Sequence, residues 1–302
     1  DLTTTGLLVY STTPITSTMI LPSSAEIPGA ICREVELSAC AGEYEPLSLA
    51  LWAPGAVKRV LVKAADLKGP GGVIPATSLD VKWVKCWYQS GGAPHSVGQD
   101  RSHKVLVPEL LLNDDSLVRV DLEGQRNEVK LSFPDGPRYA DVNDPKDVPW
   151  GCRASLEEFP VKDSPTLQPL DLPARFCKQV WIVLHVPANT RPGEYRGALT
   201  VSSPGRPVGK VGICLRVLPF ELVAPKTHYD LAEDYTGSLY YWGELDPTGA
   251  GTIGYKYKSE QQFRAELRHM YEHGIVAPIM IWSPTWVYGD EAFFRKHLEI
   301  VR

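Results

Sequence analysis

The feature that most constrains the fold is a change in the pattern of apolar residues near Pro225. Before this point, short runs such as residues 45–53 and 195–202 alternate apolar and polar side chains or are rich in Val, Leu and Trp. Gly, Pro, Asn and Asp separate these runs, which is typical of short strands joined by turns. Many short strands favour two packed β-sheets. We therefore expect a β-sandwich domain over residues 1–224.

After Pro225 the pattern becomes one of strands alternating with helices. Residues 227–235 read as a strand. Ser259 and Gln262 have the spacing of a capping box, and Gly274 stands where a helix commonly ends. Residues 275–282 are a nearly continuous apolar run, which is typical of a strand covered on both faces.

A second helix is expected to begin near Asp290, with Phe294, Leu298 and Val301 on one face. Strand, helix, strand, helix in one sheet is a βαβ arrangement, and after a sandwich it favours a (β/α)8 TIM barrel. A complete barrel has about 250 residues, whereas residues 225–302 suffice for two βα units. We therefore expect a multidomain β plus α/β fold, with a sandwich followed by the truncated first part of a barrel.

One turn can be interpreted in detail. Pro192 and Gly193 have the residue types of a type II turn, because proline fixes φ near −65° and glycine accepts a positive φ. The runs on either side, residues 180–186 and 195–201, are therefore expected to be neighbouring strands of one sheet.

Composition excludes several classes of partner. The net charge is −5, so there is no basic surface of the kind that binds nucleic acid. No apolar run approaches the ~18 residues of a transmembrane helix, which predicts a protein without a membrane span. The six cysteines lack C-x-x-C spacing, which argues against zinc and favours small buried or free thiols. One or two disulfides remain an alternative.

The chain begins at Asp1 without a signal region. Either a signal peptide was removed or the sequence was cropped. The first alternative predicts an extracellular or periplasmic protein.

Five segments resemble glycoside hydrolase family 123 and its relatives. They are residues 41–46 (AGEYEP), 107–111 (VPELL, without the leading Asp of the family's loop), 180–197 (VWIVLHVP to PGEYRG), 218–222 (LPFEL) and 270–274 (MYEHG). The resemblance implies a sandwich-plus-barrel hydrolase that acts on glycans. In that family the substrate is an N-acetylgalactosaminide.

The resemblance also implies a mechanism. An adjacent Asp-Glu pair acts late in the barrel: the Glu is the general acid, and the Asp orients the acetamido group of the substrate, which is the nucleophile. We expect this pair after residue 302, so no catalytic residue is assigned here. A conventional two-carboxylate glycosidase and a non-catalytic carbohydrate-binding or cell-surface sandwich remain alternatives.

Four residues are candidate sugar-binding residues, because barrel sites lie at the carboxyl ends of the strands. Asp234 and Tyr235 end the first predicted strand and could hydrogen-bond sugar hydroxyls. Trp282 and Trp286 follow the second strand, and their aromatic faces could stack on pyranose rings.

Other features have structural interpretations. The Asp290-Glu291 pair opens a predicted helix, where acidic residues cap free N–H groups, so we interpret it as a cap rather than a catalytic pair. The tryptophans of the first domain (Trp52, Trp83, Trp87 and Trp181) are interpreted as core residues. No motif indicates a cofactor or a metal site.

Overall fold

The computed structural model describes residues 6–24, 26–90, 103–142, 154–207, 209–222, 225, 232, 236–280 and 290–301. The chain divides into two compact units. Unit 1 comprises Asp1–Lys130, Arg138–Asn143 and Lys162–Glu221, and unit 2 comprises Leu131–Pro137, Asp144–Val161 and Leu222–Arg302. The division at residues 224 and 225 stays a prediction.

The first sixteen strands belong wholly or mainly to unit 1. They are β1 (Leu8–Thr12), β2 (Ala30–Ile31), β3 (Glu34–Ala39), β4 (Tyr44–Ala53), β5 (Val57–Ala64), β6 (Leu67–Gly69), β7 (Gly72–Ile74), β8 (Leu79–Ser90), β9 (Lys104–Leu112), β10 (Val118–Asp121), β11 (Arg126–Phe133), β12 (Gly136–Asp141), β13 (Leu170–Leu172), β14 (Phe176–His185), β15 (Gly193–Ser202) and β16 (Gly209–Val217). Short 3₁₀ turns lie at Ala76–Ser78 and Asp115–Leu117.

These strands form three sheets. One has six strands in the order β2-β1-β4-β14-β8-β9. A second has the order β13-β5-β15-β16-β3, with β6 beside β15 and β7 beside β6, and a third has the order β10-β11-β12. The pairing of β16 with β3 is parallel, whereas β14 is antiparallel to both β4 and β8.

The two large sheets share one hydrophobic core. Leu49 and Ile182 come from the six-stranded sheet, Leu199 and Ile213 come from the seven-stranded sheet, and all four are fully buried in the same cluster. Alternate residues of each strand point to this core, as the pleat of a strand requires. The removal of this apolar surface from water is the main force that holds the two sheets together.

The tryptophans of unit 1 differ in burial. Trp83 is fully buried, and its indole Nε1 donates to the carbonyl oxygen of Gln168 at 2.8 Å. This confirms the prediction that Trp83 is a core residue. Trp52, Trp87 and Trp181 are only half-buried.

The predicted pairing across Pro192 and Gly193 is wrong. β14 lies in the six-stranded sheet and β15 in the seven-stranded sheet, so the segment between them crosses from one sheet to the other. Gly193 does have a positive φ of 137°. The turn residues fix the local direction of the chain, but they do not decide which strand becomes the partner.

Unit 2 contains short strands and two helices. These are β17 (Tyr240–Tyr241), β18 (Glu244–Leu245), β19 (Tyr257–Lys258), α1 (Glu260–Glu272), β20 (Ile279–Met280) and α2 (Glu291–Val301). β17 is parallel to β20 and β18 is parallel to β19, each over two residues.

The local signals around α1 are confirmed. The side chain of Ser259 accepts from the backbone N–H of Gln262, whose own side chain accepts from the backbone N–H of Ser259. Gly274 follows the helix with φ of 79°. Phe263 and Met270 are buried on the inner face.

The predicted inner face of α2 is wrong. The buried side chain is His297, whereas Leu298 and Val301 are 38% and 40% exposed. Periodicity identified a helix here, but the apolar spacing alone did not give its orientation.

The predicted fold class, a β-sandwich followed by the first part of a (β/α)8 barrel, is wrong. The described residues are mostly strand in several sheets, with two α-helices and no barrel pattern among them. The apolar run that suggested a barrel strand is paired only at Ile279–Met280 within its described part, and Ile279 is 36% exposed. Pro278 has no N–H to donate to a ladder, so apolarity alone overstated the length of this strand.

Candidate functional site

The four predicted sugar-binding residues lie outside the described residues. These are Asp234, Tyr235, Trp282 and Trp286. By contrast, Asp290 is described, and its Oδ1 accepts from the backbone N–H groups of Ala292 and Phe293 at 2.9 and 3.2 Å. The interpretation of Asp290 as a helix cap is therefore confirmed.

Unit 1 contains an open cavity of about 580 Å³, which we call the unit 1 cavity. A volume of roughly 300–1,000 Å³ is common for small-molecule sites. The cavity is lined mainly by charged and polar side chains. Its lining residues are Arg59, Lys85, Asp114, Asp115, Ser116, Val118, Arg119, Val120, Asp121, Glu128, Pro169, Leu170 and Asp171.

A β-bulge places Arg59 at the cavity. Val57 and Val60 of β5 pair with Leu172 and Leu170 of β13, so Asp171 alone lies opposite two residues of β5. Arg59 is one of those two, and its φ of 50° lies in the left-handed region. Bulges often redirect a side chain beside a functional site.

Asp171 holds this bulge from the opposite strand. Its Oδ1 accepts from the backbone N–H of Arg59 at 2.8 Å, and its Oδ2 accepts from Lys58 Nζ at 2.9 Å. The hydrogen bond from Lys58, with that from the Arg59 backbone, lowers the pKa of Asp171 below its ordinary value. The carboxylate therefore fixes the backbone that presents Arg59.

The 3₁₀ turn supplies a second wall. The Oδ1 atom of Asp114 caps this turn by accepting from the backbone N–H of Ser116 at 2.9 Å, and its Oδ2 accepts from Lys130 Nζ at 2.6 Å. Burial alone would raise the pKa of Asp114, but the bonds from Lys130 and Ser116 outweigh burial and lower it. The sequence interpretation of Asp114 as a turn residue is thus correct, although it missed the cavity.

Asp115 lies between two lysines. Its Oδ2 is 2.8 Å from Lys85 Nζ, and its Oδ1 pairs with Lys178. Burial opposes ionisation of Asp115, but the two lysine charges outweigh this and lower its pKa. The side chain of Lys178 is only 7% exposed, and burial lowers the pKa of its ammonium despite the neighbouring Asp115. Asp115 is therefore a structural anchor for two cations.

Arg119 is held by an aromatic ring. Its guanidinium carbon lies 3.6 Å from the centroid of the Tyr139 ring, a cation–π contact. The Tyr139 hydroxyl donates to the carbonyl oxygen of Ser116 at 2.7 Å, which fixes the far end of the ring. Glu128 lies directly opposite Arg119 in the pairing of β10 with β11.

The cavity therefore combines two kinds of charged group. The four aspartates are engaged by cations or backbone N–H groups and form its frame. Arg59, Arg119 and Glu128 are the charged lining groups without an ion pair among the described residues. Such donors and acceptors suit a ligand rich in hydroxyl groups. Sequence reasoning missed this site because it depends on the register between β5 and β13, which no local pattern encodes.

In unit 2, Tyr241 belongs to a buried polar cluster. Its hydroxyl donates to Glu266 Oε2 at 2.6 Å, and Lys258 Nζ lies 2.8 Å from Glu266 Oε1. Burial, followed by the charge of Glu266, raises the pKa of Tyr241. The phenol thus stays protonated and acts as a donor that ties β17 to α1.

The cysteines of the described part are free thiols: Cys32, Cys40, Cys86, Cys177 and Cys214. Cys152 lies outside the described residues. Burial raises the pKa of Cys86 to about 11 and that of Cys177 to about 12. Both thiols are therefore protonated at neutral pH and poor nucleophiles.

Comparisons with known proteins give only distant likenesses. No family model matches the sequence, and no curated protein sequence matches it significantly. Among solved structures, a family 123 glycoside hydrolase from Clostridium perfringens that acts on glycolipid glycans is similar, with a TM-score of 0.40 and 15% identity. The alignment covers 73% of this chain and 28% of the hydrolase.

Two other structural neighbours have different roles. PapD-like domain 7 of human CEP192 has a TM-score of 0.25 at 9% identity, covering 68% of this chain and 99% of its own. AvmM, which catalyses a macrocyclisation in alchivemycin A biosynthesis, has a TM-score of 0.29 at 8% identity, covering 72% and 93%. One of the three neighbours is thus a glycoside hydrolase.

None of the described helices is both long and apolar enough to cross a bilayer.

Proposed function

We propose that this chain is part of a glycan-degrading protein and that the unit 1 cavity binds a segment of the glycan. The polar lining of the cavity supports this proposal most directly, because it offers both donors and acceptors to hydroxyl groups. Glu128 can accept from vicinal hydroxyls, and the guanidinium groups of Arg59 and Arg119 can donate to ring and hydroxyl oxygens.

The hydrolytic part of the proposal rests on the segments that resemble family 123. Two of them lie side by side: Gly42 N donates to Val186 O at 2.8 Å, and Val186 N donates to Glu43 O at 2.9 Å. The rings of Tyr44 and His185 stack with centroids 4.2 Å apart. These contacts build the sheet framework, so the resemblance supports a shared scaffold more directly than a shared chemistry.

The cavity itself is proposed to bind rather than to cleave. Two-carboxylate glycosidases need an acid and a second free carboxylate. Among the described lining residues, Glu128 is the one carboxylate without an ion pair, since the aspartates are engaged. Cleavage, by a substrate-assisted mechanism on an N-acetylhexosaminide, would use groups elsewhere in the protein. A non-catalytic glycan-binding protein is the second candidate.

The full-length protein offers a direct test. Cleavage of aryl N-acetyl-β-galactosaminides, with aryl glucosides lacking the acetamido group as the comparison, tests hydrolysis. Glycan-array binding tests the cavity, and Glu128→Ala should weaken it about tenfold, whereas the exposed Arg216→Ala on β16 should leave it unchanged. Binding without cleavage would favour the second candidate, and the absence of both would overturn the proposal.

The predicted sugar-binding residues form a separate part of this proposal. Trp282→Ala and Trp286→Ala should raise KM through lost stacking, and Asp234→Asn and Tyr235→Phe should do so through lost hydrogen bonds. Unchanged KM in all four variants would remove them from the site. A secreted location and a domain division at residues 224 and 225 also belong to the proposal, and limited proteolysis near that position would test the latter.

A further inference from the structure

We infer that the unit 1 cavity binds an acidic glycan, with a carboxylate or sulfate group held by Arg59 and Arg119. This inference rests on the proposed glycan binding and adds a class of ligand to it. It follows from the balance of charge in the cavity, the fixed position of both arginines and the place of Glu128.

Positive charge exceeds negative charge around the cavity. The lining residues and their ion-pair partners, within the described part of the chain, contribute seven cations and five carboxylates. The cations are Lys58, Arg59, Lys85, Arg119, Arg126, Lys130 and Lys178, and the carboxylates are Asp114, Asp115, Asp121, Glu128 and Asp171. The local excess is opposite in sign to the net charge of −5 of the whole chain.

The pairing of these charges identifies the groups that can meet a ligand. Lys58, Arg126 and Lys130 each have one aspartate, and Lys85 and Lys178 share Asp115. Within the described residues, the guanidinium groups of Arg59 and Arg119 have no carboxylate at ion-pair distance, and both residues are exposed. A guanidinium group presents parallel N–H donors that match the two oxygens of a carboxylate or sulfate.

Both arginines are held in position before any ligand binds. Arg119 stacks on Tyr139, whose hydroxyl is hydrogen-bonded to Ser116. Arg59 stands on a bulge in a left-handed conformation, which costs a non-glycine residue roughly 1–2 kcal/mol. Asp171 offsets this cost by binding the bulge. Most surface arginines are simply solvated, but they do not need a strained backbone that a neighbouring carboxylate maintains.

Glu128 gives the ligand its orientation. It lies opposite Arg119 across the β10–β11 pair, so an anionic group would be repelled from Glu128 and attracted to the arginines. The vicinal hydroxyls of the same sugar can donate to Glu128. A uronic acid or a sulfated sugar carries both an anionic group and hydroxyls on one ring, and so satisfies both halves of the cavity.

Calorimetric titration of the full-length protein tests this with matched oligosaccharides. The probes are oligogalacturonate, a sulfated galactose oligosaccharide and the neutral galactose oligosaccharide of equal length. We expect at least one acidic probe to bind about tenfold or more tightly than the neutral one, with affinity that falls as salt rises. The two acidic arms distinguish carboxylate from sulfate.

Substitutions assign the effect to the two arginines. Arg59→Ala and Arg119→Ala should each weaken the acidic probe about tenfold and leave the neutral probe within about twofold, and tenfold corresponds to about 1.4 kcal/mol. Arg59→Lys keeps the charge but loses the paired donors, so it should recover only part of the affinity. Glu128→Gln should keep or strengthen acidic binding. Arg216→Ala is the matched control, and thermal unfolding checks that each variant is folded.

The outcomes separate this inference from the proposed function. If acidic and neutral probes bind equally, or if the arginine variants weaken both alike, acidic selectivity is wrong while glycan binding stands. If no probe binds and a wider glycan array is also negative, both the inference and the binding function are overturned.

Discussion

Units 1 and 2 are held together in different ways. In unit 1, β14 and β4 pair over ten residues that lie far apart in sequence, and both large sheets share one core. In unit 2, the parallel pairs are two residues long, and the strongest signals are local, such as the capping box of α1. Non-local pairing fixes the register of unit 1, whereas much of the order in unit 2 is set within one helix and its ends.

The largest expected effect concerns the buried charges of unit 1. Asp115→Asn removes the carboxylate that pairs with Lys178, and an uncompensated buried charge costs about 3–5 kcal/mol. Urea unfolding should show this loss. Asp80→Asn is the control, because its pair with Lys82 is exposed and its removal should cost less than about 1 kcal/mol. The double variant Asp115→Asn, Lys178→Met should recover most of the loss, and a loss under 1 kcal/mol in Asp115→Asn would contradict the anchor role.

The core of unit 2 should be the next most sensitive. Phe263 is fully buried and its ring lies 5.0 Å from His297 and 5.9 Å from Tyr241. Phe263→Ala should cost about 3 kcal/mol through the cavity it leaves. Hydrogen exchange should show faster exchange in α1 with little change in β14. Equal acceleration in both would mean that the two units unfold as one.

Acid should weaken unit 1 by less than these substitutions. The pKa values of Asp114 and Asp115 are lowered in the folded protein, so near the unfolded value of about 3.9 the unfolded chain binds more protons than the folded one. Stability is therefore fully present above that value and is lost as pH falls through the folded pKa values. Urea midpoints between pH 6 and pH 2 measure this, and Asp115→Asn should flatten the curve.

The smallest expected effect is at the start of α1. Ser259→Ala removes one half of the capping box and should cost about 1 kcal/mol. Gln261→Ala, at an exposed position in the first turn, is the control and should change stability by less than about 0.5 kcal/mol. Hydrogen exchange of the first amides of α1 reports the difference, and equal exchange in both variants would leave the cap without a measurable role.

The same comparison explains how much could be predicted from the sequence. The strands at residues 57–64 and 211–217, the capping box at Ser259 and the cap at Asp290 were all readable, because each depends on a few neighbouring residues. The separation of β14 and β15 into different sheets was not, since it depends on partners more than 100 residues away such as β4 and β5. The barrel was inferred from short local patterns that give no sheet closure.

The candidate site shows the same limit. Asp114 was recognised as a turn residue, but its place beside Arg59 and Arg119 arises from three separate strands and a turn. Nothing in the spacing of these residues along the chain brings them together. The sugar-binding residues that the sequence did suggest belong to unit 2 and stay predictions.

The bulge at Arg59 makes the length of this segment matter as much as its composition. Past the bulge, Val60 and Val62 are buried while Lys63 is exposed. Deleting one residue at the bulge would restore a regular ladder with β13 only by shifting everything that follows by one place. Lys63 would then turn inward where Val62 now stands, because neighbouring side chains point to opposite faces. A one-residue deletion here should therefore be far more damaging than most single substitutions, although the site lies on the surface.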